Sequence, residues 1–575
     1  MTPIRQTHER VAQSEAGPSR TNFTAKTILA AVLALFLVAC GGGDGKADKN
    51  VNSGQDGEDG IVTLNRGNGS EPNTLDPHQA NGTWENNIIG DMILGLFTED
   101  AYGNPAFGAA VDHQISEDGL THIFKLREGA VWSDGAPVTA HDFVFAWQRI
   151  LDPNTAAPYA SLVYVFKNAR AINEGEMPVD SLGARAIDDL TLELQVEKPV
   201  PFIRTLMTHY TTWPVPKHLI EEVGDAWVKP GTMVSNGAYV LQEWRPNSRL
   251  VLVKNDKFWD ADNVAIDKVV YTPNGDVSAA LRAFRAGELD VNACSQCYPI
   301  QQIGFINKNM PGVARNELIL ATTYIAFNTK KPPYDDVRVR RALSLALDRE
   351  TMVTKVLRSG EVPAYAFVPP TIQNYVPADE LPHMDEASMT QEERNALAMQ
   401  LLAEAGYDAN NPLKIEVKYR LAGDRKQIMV AMQNMWRQIG VEAELIGAEP
   451  KVAYADYRSR NFEVADAGWV ADYNDPDNFL FLMKGDTGPL NYSDYKNEEF
   501  DRLLNEANSM LDLEARAKVM AKAEQIMLND MAVAPIYFSV NRNLVGLHVQ
   551  NWNDNSQGIQ RTRWLSIDES KRVSY

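Results

Sequence analysis

Asp335-Asp-Val-Arg-Val-Arg-Arg-Ala-Leu-Ser-Leu-Ala-Leu-Asp348 is the stretch on which the fold class turns. Asp335 and Asp336 carry side-chain oxygens that can cap the orphan N–H groups of a helix running from Val337 through Leu357. From here onward helical spacing dominates. Leu397, Leu401 and Leu402 share one apolar face, and Gly406 suits the stop of that helix. Ile428, Met432, Met435 and Ile439 share another, where the methionines read as core filler. Phe500, Leu503, Leu504 and Ala507 repeat the pattern. Upstream the period changes. Thr121-His-Ile-Phe-Lys-Leu126 and Thr191-Leu-Glu-Leu-Gln-Val196 are short β-type runs, the second with Leu192, Leu194 and Val196 alternating. Thr139 opens one helix between them, and Arg249–Asn255 and Lys268–Pro273 are further strands. A strand-rich first half, a helix-rich second half and no solenoid period predict a mixed α/β fold with more than one lobe.

The N-terminus reads as an address. Residues 27–39 form one apolar run preceded by Arg20 and Lys26. A membrane-spanning helix needs about 20 apolar residues, so this run fits the h-region of a secretory signal instead. Leu37-Val-Ala-Cys40-Gly41 follows, and it resembles the bacterial lipobox, whose cysteine is diacylated and becomes the new N-terminus. Residues 1–39 are therefore expected to be a signal peptide. Residues 40–60 are expected to be a lipidated Cys40 and a flexible tether, too poor in apolar side chains to fold. The body would sit outside the cytoplasm, held to a membrane by lipid.

Charge and composition exclude several classes. A net charge of −21 repels nucleic acid, whose binders cluster Lys and Arg against phosphate. A chain 44% hydrophobic and 23% charged is neither disordered throughout nor a polytopic membrane protein. Catalytic signatures such as G-x-S-x-G and H-E-x-x-H are missing, and the Gly-rich string before Ala47 has no Ser or Thr after Lys46. Cys294-Ser-Gln-Cys297 has no second pair or neighbouring His to complete a zinc site. A local disulfide, free thiols and a redox pair all remain open for it. The acidic run from Asp472 fails as a calcium loop, because Pro476 and Asp477 fill its fifth and sixth positions, where a glycine is required at the sixth. Neither a metal, a cofactor nor enzymatic activity is expected.

A set of strings resembles the oligopeptide-binding proteins of ABC importers, solute-binding protein family 5. They are Leu75–His78, Trp132–Phe143, Pro158–Ser161, Asn236–Tyr239, Lys331–Pro333, Asp336–Leu343, Leu401–Tyr407, Gly468–Pro476 and Pro535–Tyr537, in the family's order. The resemblance implies a periplasmic-binding-protein-like fold in which two lobes close on a cleft. It implies three domains: domain I from 61–94, 217–318 and 539–575, domain II from 95–216, and domain III from 319–538. It implies a monomer that hands short peptides to the permease subunits of an ABC transporter.

The same resemblance implies a site. Asp472 would receive the peptide α-ammonium, since a buried ammonium needs a carboxylate. Trp469 would form a flat wall, with Gly468 and Val470 offering backbone groups for strand-like pairing. Tyr159 and His209 would face the ligand from domain II, and Asn81, Thr83, Cys294 and Tyr324 would complete the lining. Some family arginines that grip a peptide carboxylate correspond to Tyr457 and Asp466, with Arg458 and Arg460 out of register. Pro450, Ser539, Ala321 and Val470 also depart from the pattern. An acid at 466 predicts repulsion of a carboxylate and a preference for basic or longer peptides. Other expectations left standing are the same fold with a dedicated non-peptide solute (a metal chelate or haem), or a surface lipoprotein with an interaction role.

Overall fold

The computed structural model describes residues 60–294 and 296–575. The expected signal peptide, Cys40 and all but the end of the tether lie outside the described residues. Among those residues, no helix is long and apolar enough to cross a membrane.

Local chemistry starts the helices, at Thr139 and Asp336 where the sequence placed caps and at Thr390 besides. Asp142 accepts the Thr139 N–H at 2.8 Å and opens the helix Ala140–Leu151. Thr390 and Glu393 cap Gln391–Glu404 reciprocally, and Gly406 follows it at a φ of +95°. Asp336 accepts the Arg338 N–H at 2.8 Å and opens Val337–Leu345. The single helix expected through Leu357 does not form. It stops at Leu345, and Asp348 caps a new turn, Arg349–Thr351, followed by a π-helical turn, Met352–Leu357. The cause is Arg349, which is buried and donates to the carbonyls of Ser344, Leu347, Ala364 and Pro535. An unbroken helix would satisfy the Ser344 and Leu347 carbonyls itself and leave that guanidinium unpaired in the core.

The main sheet is mixed. Its strands run in the order Glu442–Ala448, Lys414–Arg420, Val464–Val470, Ala314–Phe327, Val533–Val545, Val291–Asn292, Thr63–Gly67, Lys268–Thr272, Arg249–Lys254 and Tyr239–Arg245. A separate antiparallel sheet joins Ala110–Ile115, Thr121–Leu126, Thr191–Gln195 and Ala184–Asp188. Two large cores result. One gathers Leu64, Trp132, Trp147, Trp213 and Tyr239, with Val545 and Leu565 from the far end of the chain. The other gathers Phe327, Leu343, Met432, Trp436, Phe479 and Met527. Helix Arg425–Gln438 buries the face foreseen for it, and its methionines fill the second core.

Two long strands connect these halves. Ala314–Phe327 and Val533–Val545 pair antiparallel, but their register shifts between Leu318 and Thr322 and again between Thr323 and Tyr324. At the break, Leu320 N–H donates to Ser556 O and Leu320 O accepts the Ala471 N–H, both at 2.8 Å. The shifted backbone thus holds the residue next to Asp472.

Candidate functional site

A cavity of about 350 Å³ opens at this break, between residues of the two cores. Seven of the foreseen residues line it: Asn81, Thr83, Tyr159, His209, Cys294, Val470 and Asp472. Three do not. Side chains alternate along Val464–Val470. Val470 is 57% exposed toward the cavity, so Trp469 points the other way. Its indole N–H donates to Asn478 Oδ1 at 2.8 Å, and its ring meets Phe481 edge-on at 5.7 Å. The flat wall expected of Trp469 is therefore corrected to packing behind the strand. Tyr324 is 1% exposed and packs edge-on against Phe367, which makes it a core residue rather than a lining one. Gly468 lies under Arg425, where a Cβ would come 3.7 Å from its Nη2.

The turn after the strand is locked from several sides. Asn478 Oδ1 also accepts the Asp472 N–H at 3.1 Å. Tyr473 stacks on Phe202 with centroids 4.8 Å apart. Asp475 forms a two-pronged, fully buried ion pair with Arg516 at 2.8 and 3.0 Å, while accepting the Asp477 N–H. What this scaffold presents is the Asp472 side chain. Among the described residues its carboxylate has no ion pair and no hydrogen-bond donor. Burial without a partner pushes its pKa up to about 7. Its neighbours Tyr159, His209 and Tyr210 supply no cation. His209 is held down to about 3, chiefly by burial, and so is neutral. The phenols of Tyr159 and Tyr210 are pushed up by burial and by the Asp472 charge.

Asp466 behaves differently. It is fully buried and accepts from Arg420 Nε and Arg425 Nη1, both at 3.0 Å. Two guanidiniums around one carboxylate leave a net positive charge, and Arg425 lines the cavity. The repulsion of carboxylates expected from Asp466 is therefore corrected, because its charge is already spent. Arg425 had no motif to reveal it; the only signal was that an acid on a core strand requires a cation. Of the other charged lining residues, Glu99 pairs with Arg561 at 3.0 Å, while Arg66 donates to the neutral Gln560 O at 2.9 Å and has no ion pair among the described residues. Arg460 is paired with Asp494, and Tyr457 is core. Cys294 and Cys297 are joined as a disulfide, their Cα atoms 5.2 Å apart. Gly558, with a φ of +65°, lets the chain pass where a side chain would strike Asn541.

An α/β frame whose two cores flank a charged cavity is suited to binding a small solute. Residues 104–491 match the family described as bacterial extracellular solute-binding proteins, family 5 Middle, and the chain belongs to that family. It is a binding protein and not an enzyme. It is 38% identical over 533 residues to the periplasmic oligopeptide-binding protein OppA of Escherichia coli, covering 91% of this chain and 95% of that protein. It is 37% identical over 474 residues to a probable deoxycholate-binding periplasmic protein, YgiS, of the same organism, covering 82% and 87%. The structure of the Escherichia coli murein tripeptide binding protein MppA superposes with a TM-score of 0.77 at 36% identity, covering 88% of this chain and 99% of that one.

Proposed function

We propose that the cavity binds a short peptide between two charged ends, the α-ammonium on Asp472 and the terminal carboxylate toward Arg425. The protein would serve as the substrate-binding component of an ABC importer, anchored through a lipid on Cys40, and act as a monomer. On the three-domain division given above, Asn81 and Thr83 contribute from domain I, Tyr159 and His209 from domain II, and Arg425 and Asp472 from domain III. Closure would flex the strand pair at its register break, residues 318–324.

One observation carries this reading: a half-buried carboxylate in the cavity that has no ion-pair partner among the described residues. Such a group is costly until a ligand supplies the charge. The kinship with OppA and MppA favours peptides as that ligand. The kinship with YgiS raises a bile acid as the alternative, but a steroid carboxylate has no ammonium and would leave Asp472 unpaired. Calorimetry with trialanine, its N-acetyl form and its C-terminal amide tests both ends. Acetylation should cost at least tenfold in affinity. Arg425→Gln should weaken trialanine while barely changing the amide. Equal affinity for trialanine and its N-acetyl form would remove Asp472 from the proposed role.

A further inference from the structure

The Cys294–Cys297 disulfide does not hold the fold together, because it closes a loop of only three residues' separation. A disulfide acts mainly by restricting the unfolded chain, and least for short loops. Its position is more informative than its span. Cys294 is half-buried and lines the cavity that holds Asp472 and Arg425. Cys297 is fully buried, and it is not among the lining residues. Its N–H donates to Arg542 O at 2.9 Å, its carbonyl accepts from Asn292 Nδ2 at 2.8 Å, and its sulfur lies 3.6 Å from Asn543 Oδ1. One sulfur therefore faces the ligand space and the other is fixed in the wall behind it. That is the asymmetry of a C-x-x-C exchange centre, with an accessible sulfur to be attacked and a shielded one to leave.

We infer that Cys294 is a reversible covalent capture site for peptides that carry a thiol. This rests on the reading of the cavity as a peptide site. The peptide thiol loses its proton and its sulfur attacks Cys294 Sγ. A new S–S bond joins peptide to Cys294, the Cys294–Cys297 bond breaks, and Cys297 leaves as a thiolate that takes up a proton. One thiol is consumed and one is formed, so no oxidant or reductant is needed. Return attack by Cys297 restores the internal disulfide and frees the peptide for delivery.

Selectivity follows from the surroundings. Cys297 sits in a dry wall beside an amide oxygen, and neither feature stabilises a thiolate. Exchange is therefore unfavourable for a small thiol in passing. A peptide already held by its charged ends has a much higher effective concentration at Cys294. Capture is accordingly a second filter acting on bound peptides.

Intact-mass spectrometry of the folded protein under non-reducing conditions tests this with Ala-Cys-Ala, N-acetyl-Ala-Cys-Ala, Ala-Ser-Ala and 2-mercaptoethanol at matched concentration. The protein should gain the whole mass of Ala-Cys-Ala, lose it on adding dithiothreitol, and carry it on Cys294 in a peptide map. N-acetyl-Ala-Cys-Ala and 2-mercaptoethanol should react at least tenfold more slowly, and Cys294→Ser should not react. Binding of Ala-Ser-Ala is measured alongside by calorimetry. If Ala-Ser-Ala binds and Ala-Cys-Ala leaves no adduct, covalent capture is wrong and the peptide reading stands. If Ala-Ser-Ala does not bind, the peptide reading fails and capture fails with it. An adduct on Cys297, an equal rate with 2-mercaptoethanol, or a gain two hydrogens short of the peptide mass would each overturn the inference.

Discussion

Asp472→Asn is expected to weaken trialanine binding by roughly thirty- to a few thousand-fold, because truncating one partner of a buried charge pair costs about 2–5 kcal/mol. Asparagine keeps the shape and removes the charge. The fold should tolerate it, since no described residue donates to that carboxylate. The variant should unfold no earlier than the parent in a thermal melt while losing its calorimetric signal. Retained affinity would place the ammonium elsewhere in the cavity.

The same group sets a pH dependence with a definite sign. In the free protein Asp472 ionises near pH 7 because burial disfavours its charge. A bound ammonium favours the charged form, so binding must expel a proton whenever pH lies below that value. Affinity should fall about tenfold for each pH unit below 7. It should also fall above about pH 8, where a peptide α-amine loses its proton. The acidic limb should vanish in Asp472→Asn. Stability of the free protein runs the opposite way. A carboxyl whose pKa is raised by folding contributes stability below its ordinary pKa, and that contribution is lost as pH rises through 7. Thermal shifts on adding peptide should therefore grow between pH 6 and 7.5.

Local features were legible in the sequence because their causes are local. The caps at Thr139 and Asp336 each depend on residues within three positions. The break after Leu345 was not legible, since Arg349 finds acceptors at Ala364 and Pro535. The role of Asp466 was hidden for the same reason: its partner Arg425 lies 41 positions away on another element. Asp472 was legible only through resemblance, because composition and spacing do not reveal which acid of an Asp-rich turn will be left unpaired. The face of Trp469 was readable in principle. Once Val470 is placed toward the cavity, a period of two sends its neighbour to the other side.

Arg516→Met should destabilise the protein by about 3–5 kcal/mol, the cost of leaving one charge of a buried pair without its partner. Arg516 and Asp475 are both fully buried. Asp475 also accepts from Asn374 Nδ2 at 3.1 Å, and the Arg516 guanidinium carbon lies 5.7 Å from the Phe202 ring centroid. Phe202 belongs to the first core and stacks on Tyr473. The ion pair thus ties helix Leu513–Asn529, the turn that carries Asp472 and an aromatic side chain of the other half. Methionine fills much of the arginine volume, so most of the loss should come from the stranded Asp475 charge rather than from a void. The double variant Asp475→Asn/Arg516→Met separates these causes. It removes both charges and should recover most of the urea midpoint lost in the single variant, along with the peptide affinity that depends on a rigid turn. A double variant as unstable as the single one would instead assign the cost to packing against Phe202.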